Sequence, residues 1–284
     1  RRETAPGRVL ALALAVVLVL DPWAVMAAGF WLSFGAVALL FLVSSGRLVP
    51  DGRLRGALRA QWAVTLGLVP ALWAGATVVL HGRSLNKLEV IYDEIEGLGA
   101  PQPAILPLQL STASSHDYEL LVNTLEQQFG RLDGILHNAG MLGDRVELAH
   151  YPIDVWDDVL SVNLRAPFAL TQALLPLLQK SAHASVVFTS SSVGREPRAL
   201  WGAYSVSKVA TEAMSKIFAS ENSYPNIRFN CINPGGTRTA MRAKAYPDED
   251  PKVLPTADEI MPAYLYLMGD DSLDMNGQSI DAQA

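Results

Sequence analysis

From Gly75 onward the chain alternates short apolar runs with longer stretches whose apolar residues recur at helical spacing, and few folds tolerate that alternation. ATVVLHGR, ending at Arg83, reads as a strand, and Ser84 is placed to cap a helix reaching about Leu98. Residues 103–108 read as the next strand, followed by a helix with Leu120, Leu121, Leu125 and Phe129 on its apolar face. Residues 132–137, 186–189, 228–232 and 278–281 are further strands; residues 154–179, a segment opening near Gly202, and residues 257–268 are helical. Such alternation predicts a parallel α/β sheet, doubly wound with helices on both faces. Ligands of these sheets sit at the carboxyl ends of the strands.

The polar signatures fall at those ends. Asn138, Ala139 and Gly140 directly follow a strand, and small residues there let a backbone approach a ligand. Asn163 lies within a helical stretch, where its amide could order a water. Ser191 ends the 186–189 strand region, thirteen residues before Tyr204. Tyr204 and Lys208 are four apart and share one helix face. A phenol has an ordinary pKa of about 10. An ammonium one turn away favours the phenolate and brings the group into range for proton transfer. Asn233, Pro234 and Gly235 end another strand, and Thr237 and Thr239 offer hydroxyls to a phosphate or carboxamide. Taken singly, these are also a surface Tyr and Lys on an ordinary helix and two ordinary turns.

Together and in this order, they resemble the short-chain dehydrogenase/reductases, over residues 75–284. The segments LDGILHNAGMLGD, LTQALLPLLQKS, VVFTSSSVGR, INPGGTRTAMRA and YLYLMGDDS are similar to the YciK-like subgroup of that family. The resemblance implies Tyr204 as general acid/base, Lys208 as the group that lowers its pKa and holds the nicotinamide ribose, Ser191 as the substrate-orienting hydroxyl, and Asn163 in a water relay. Ser190 and Ser192 flank the serine position, so a slip of one remains open. The reaction implied is hydride transfer between a nicotinamide cofactor and a small carbonyl or alcohol. The cofactor-binding set would be Arg83, Asn138, Ala139, Gly140, Tyr204, Lys208, Pro234, Gly235, Thr237 and Thr239. Arg83, just after a strand, suits the 2′-phosphate of NADP over NAD, although a solvated Arg at a strand end is the alternative. Gln109 stands where the family often has an Asp near the adenine. A homodimer through helices 154–179 and 202–220 is a family expectation.

A complete member of that family opens with a strand and a T-G-x-x-x-G-x-G turn, whose amides and helix dipole hold a pyrophosphate. The motif should lie about thirty residues before Arg83. Gly52 and Gly56 are four apart there, but no strand precedes them and a third glycine is absent. The expectation is a truncated domain, residues 73–284, lacking its first strand and glycine loop, joined between Leu72 and Gly75 to something else.

That something else reads as membrane-bound. Residues 23–43 are 21 residues without a charge, roughly 31 Å as a helix, enough for a hydrocarbon core. Residues 9–20 are apolar but short, and Asp21-Pro22 separates the two runs. Arg1, Arg2 and Arg8 before them and Arg47, Arg53, Arg55 and Arg59 after them suit a two-helix hairpin with both ends cytoplasmic; a pair of buried core helices is the alternative. Residues 60–80 also scan as a span, but from Gly75 they belong to the α/β pattern. DPWAV, GFWLSFGAVALL and RAQWAVTLGLVP resemble the membrane domain of the ComEC family of DNA-uptake channels, over residues 7–72. The piece is far too small to form a pore. Two readings stand: a dehydrogenase tethered to the bacterial inner membrane with its α/β domain cytoplasmic, or a non-catalytic chimera of a channel fragment and a truncated dehydrogenase. If the fusion is artificial, the dehydrogenase is cytoplasmic.

Charge and cysteine content narrow the classes further. Residues 1–59 carry seven Arg against Glu3, Asp21 and Asp51, a net +4, so the remainder of a chain of charge −6 carries −10. An acidic α/β part argues against a nucleic-acid surface. The single cysteine, Cys231, excludes an intrachain disulfide and a zinc cluster built on several thiols, and reads as a buried, inert thiol. The first residue is Arg1 and no signal-peptide pattern is evident, which suggests part of a longer reading frame.

Overall fold

The computed structural model of the chain describes residues 76–221 and 223–283. The expected spans at 9–20 and 23–43 lie outside the described residues. No helix among the described residues is long and apolar enough to cross a membrane. Of the 60–80 run, the described end belongs to a strand, β1 (Val79–Gly82).

After β1 come helix α1 (Leu85–Gly97), strand β2 (Ala104–Pro107), helix α2 (Ser115–Phe129) and strand β3 (Gly134–His137). Helix α3 (Ile153–Leu160) passes through a π-turn at Ser161–Arg165 into α4 (Ala166–Leu178). Strand β4 (Ala184–Thr189), the short α5 (Ser192–Arg195) and the long α6 (Gly202–Glu221) follow. Strand β5 (Ile227–Asn233), α7 (Ala240–Ala245), α8 (Ala257–Met268) and β6 (Ser279–Asp281) complete the order.

Every strand pair is parallel, as the alternation predicts. Among the described residues the sheet is in two pieces, β1–β2 and β3–β4–β5–β6. The pieces share one helical layer: Val79 of β1, Leu106 of β2 and Ile135 of β3 all pack on a cluster formed by Leu125 of α2 and Leu170, Leu174 and Leu177 of α4. Strand alternation then sorts the core. Val186 and Phe188 of β4 face α4 and α6, while Val187 between them faces Ile260, Met261 and Tyr264 of α8. Burying a side chain such as Phe188 completely stabilises the fold by about 2–3 kcal/mol.

Two expectations need correction. On α2 the buried face is Tyr118, Leu121, Val122 and Leu125, whereas Leu120 and Phe129 point outward at 53% and 38% exposure. Positions 118, 121, 122 and 125 follow the 3.6-residue period, and position 120 stands about 200° around the helix from 118. Ser84 occupies the N-cap of α1 but its side chain accepts no capping bond. A capping box lies instead at Ser114, whose hydroxyl accepts from the Asp117 amide while Asp117 accepts from Ser114 N.

Candidate active site

The carboxyl ends of β3, β4 and β5 open onto one cavity of about 290 Å³. Asn138 and Gly140 line it from β3, Ser190 and Ser191 from β4, Tyr204 and Lys208 from α6, and Pro234, Gly235, Thr237 and Thr239 from β5. Those expected residues come together. Three do not line the cavity: Ala139; Asn163, which lies behind it; and Arg83, which is exposed beyond β1.

Tyr204 is delivered by an unusual helix entry. Leu200 has φ +66° and Gly202 φ +36°, so the chain turns through left-handed backbone immediately before α6. A Cβ on Gly202 would collide with the Tyr151 ring, so glycine lets the helix start close against that ring. Tyr204 is 8% exposed, with its ring tilted against Trp201 at 5.7 Å. Burial pushes its hydroxyl above the usual phenol range, and the Ser191 hydroxyl pulls it partly back.

Lys208 is buried, and its ammonium donates to the Thr189 carbonyl at 2.6 Å, 5.6 Å from the Tyr204 ring centroid. Burial lowers its pKa to about 8, offset in part by Cys231. The expected direction for Tyr204 is therefore reversed in this arrangement. Removing a phenolate from water costs more than an ammonium held at the strand carbonyl returns. Near neutral pH, Tyr204 is a protonated phenol beside a mostly protonated lysine.

Asn163 sits in the π-turn, a wider coil that rotates it inward. Its Nδ2 donates to the Met141 carbonyl at 2.9 Å and to Ser207 Oγ at 3.0 Å, and its Oδ1 accepts from Met141 N at 2.7 Å. Both amide hydrogens are engaged within the protein. The residue braces the loop after β3 against α6, and only oxygen lone pairs remain to order a water. Cys231 is buried in β5 with its thiol pushed up to about 12 by burial, which fits the inert role expected.

The far wall is apolar: Leu142, Trp201, Met241, Ala245, Ile260 and Tyr264. Arg242 also lines it, but its guanidinium forks onto Glu249 at 2.6 and 2.7 Å and stacks over Tyr246 at 3.9 Å. Trp201 carried no recognisable sign in the sequence. Residues 237–255 hold three prolines and two aspartates and give little helical signal, and only tertiary packing selects the six helical residues.

A short chain dehydrogenase model matches residues 70–250, and a competence protein model matches residues 1–77. The uncharacterized oxidoreductase YciK of Escherichia coli K12 is 52% identical over 209 residues, 74% of this chain and 82% of the relative. A short-chain dehydrogenase structure from E. coli CFT073, complexed with NADPH, is 50% identical at TM-score 0.75, covering 81% of this chain and 94% of its own. One from Shigella flexneri 2a, complexed with NADP, is 48% identical at TM-score 0.75, covering 81% and 95%. With its parallel sheet, its Tyr and Lys on one helix face at the strand ends, and 52% identity over 209 residues to a relative of which it covers 82%, the chain belongs to the short-chain dehydrogenase family of oxidoreductases.

Proposed function

We propose that the chain is an NADP(H)-dependent carbonyl reductase for small, uncharged, largely apolar carbonyl compounds or the matching alcohols, with a weakened hold on its cofactor. The observation that carries this is the convergence of Ser191, Tyr204 and Lys208 on one cavity at the strand ends. The nicotinamide end fits such a cofactor. Ser190 Oγ is buried there without a partner among the described residues, a polar atom left for a ligand to satisfy. Asn138, Gly140, Lys208 and the Pro234–Thr237 turn would hold the nicotinamide and its ribose. When bound, NADPH supplies a hydride.

The protein's own part is proton transfer and orientation. Ser191 and Tyr204 hydroxyls hold the carbonyl oxygen. Tyr204, protonated at neutral pH, gives that oxygen its proton, and the Lys208 ammonium stabilises the phenolate left behind. Leu142, Trp201 and Met241 shape the substrate side. Arg242, paired with Glu249, offers no free charge to a carboxylate or phosphate, which favours uncharged substrates.

The weak hold is supported by the sequence, in which no glycine turn is evident before β1, and by Arg83 as the candidate for the 2′-phosphate among the described residues. Losing a few phosphate contacts costs several kcal/mol, and each 1.4 kcal/mol is about tenfold. The test is oxidation of millimolar NADPH by the full chain against a panel of ketones and aldehydes, beside Tyr204→Phe. Carbonyl-dependent oxidation lost in the variant supports the reading. No Tyr204-dependent oxidation supports the second one, a non-catalytic fusion, which rests on two family models meeting at residues 70–77.

We also assign residues 1–72 to a membrane segment and residues 73–284 to the dehydrogenase-like domain. The uncharged run at 23–43 and the competence protein match support this. Alkaline carbonate should leave the chain in the membrane pellet; release to the supernatant would rule the assignment out. A homodimer through α4 and α6 is supported by Phe168, Val209 and Ile217, exposed at 44%, 39% and 56%. Sedimentation giving only monomer would exclude it.

A further inference from the structure

The last described residues reach back to the cavity. Strand β6 pairs with β5 so that Asp281 lies opposite Asn233, and Ala282 N donates to the Asn233 carbonyl at 2.9 Å. Arg195, four residues after Ser191, forks its Nη1 onto both Asp281 carboxylate oxygens at 2.8 and 2.9 Å. Its Nη2 donates to the Ile280 carbonyl at 2.9 Å. Asn233 Nδ2 donates to the same carboxylate at 2.7 Å. With Asp281 fixed from two sides, Gln283 is delivered onto the turn that follows β5.

There its Nε2 lies 2.6 Å from the Pro234 carbonyl, 3.1 Å from the Gly236 carbonyl and 3.4 Å from Thr237 Oγ1. An amide nitrogen has two hydrogens, so the two backbone carbonyls take them and the hydroxyl contact is the weak one. Two acceptor-only neighbours also fix which end of the amide faces the turn. Gly235, at φ +71°, lets the contact form: a Cβ there would meet Gln283 Cδ at 2.8 Å. The turn so held contributes Pro234, Gly235 and Thr237 to the same cavity as Tyr204 and Lys208.

We propose that Gln283 is a positioning residue for the reaction: its side-chain amide locks the Pro234–Thr237 turn, and Arg195 and Asp281 set the amide in place. The link to catalysis rests on the reading that this cavity holds the nicotinamide end of the cofactor; the lock itself does not. The test measures amide hydrogen exchange at Gly235, Gly236 and Thr237 in the full chain without cofactor, for the parent, Gln283→Ala and Gln283→Glu, with β4 amides as the internal measure of global stability. Relative to β4, the alanine variant should exchange about tenfold faster at the turn. The glutamate variant should exchange faster still, because a carboxylate would face two carbonyl oxygens. Unchanged turn exchange in both variants overturns the proposal; so does a glutamate variant no worse than alanine, because then the side chain only fills space. In the NADPH-oxidation assay the alanine variant should raise KM for NADPH about tenfold with kcat within about threefold. If the parent shows no turnover, the reductase reading falls while the exchange data still decide the lock.

Discussion

The two pieces of the sheet differ in how completely they make a site. In β3–β6, strands β4 and β5 are buried almost throughout, and three adjacent strand ends converge with α6 on one cavity. In β1–β2 most strand residues are only half-buried, and the one candidate ligand, Arg83, is exposed. The chemistry of proton transfer needs groups brought from distant positions into a dry pocket, and the first piece does that by tertiary packing. Holding a dinucleotide's phosphates needs backbone amides presented by a specific turn, and the described residues before β1 include none. Among the described residues, the catalytic end is thus the one brought together by packing.

The largest expected effect falls on the built end. Tyr204→Phe should lower carbonyl reduction about a thousandfold while leaving NADPH binding within about threefold, read by steady-state kinetics and fluorescence titration. An equal loss of binding would mean the hydroxyl holds cofactor rather than moving a proton. Gly202→Ala should come next. Its Cβ strikes the Tyr151 ring and it loses a permissive left-handed position, so Tm should drop by about 5 °C or more and Tyr204 should be displaced, with a fall in kcat.

A pH profile separates the halves further. Lys208 is charged below about pH 8, so the reductase rate should hold below that pH and fall tenfold per unit as pH rises through it. Lys208→Arg keeps the charge at all these pH values and should remove the fall. The last prediction concerns stability. His137 is buried, bonded to Thr171 Oγ1 at 2.9 Å and stacked on Phe188, and burial lowers its pKa to about 3. The unfolded chain, with an ordinary histidine, binds that proton at pH 6.5, so the fold should lose about 1.4 kcal/mol per pH unit below 6.5, down towards pH 3. His81, also lowered by burial, adds to the same slope. Urea midpoints of His137→Gln between pH 7 and 4 should show a shallower decline.

The legible part of the molecule was the part written locally. Strand cores, the α8 boundaries and the Tyr204–Lys208 spacing follow from periodicity and need no tertiary information. What escaped was set by packing. Burial decides the Tyr204 pKa, which neighbour spacing alone placed in the opposite direction. Leu120 and Phe129 are as apolar as Leu125, and only the facing α4 selects among them. Gln283 is one glutamine near the last residue, and its role emerges only because β6 lays it on the Pro234–Thr237 turn.

The most direct test of the contrast between the two ends is a fluorescence titration of NADPH into the purified full chain. The account predicts a Kd of about 100 μM or weaker, with binding insensitive to Tyr204→Phe. A Kd of about 5 μM or tighter would contradict it, since the phosphate end would then be as well made as the catalytic one.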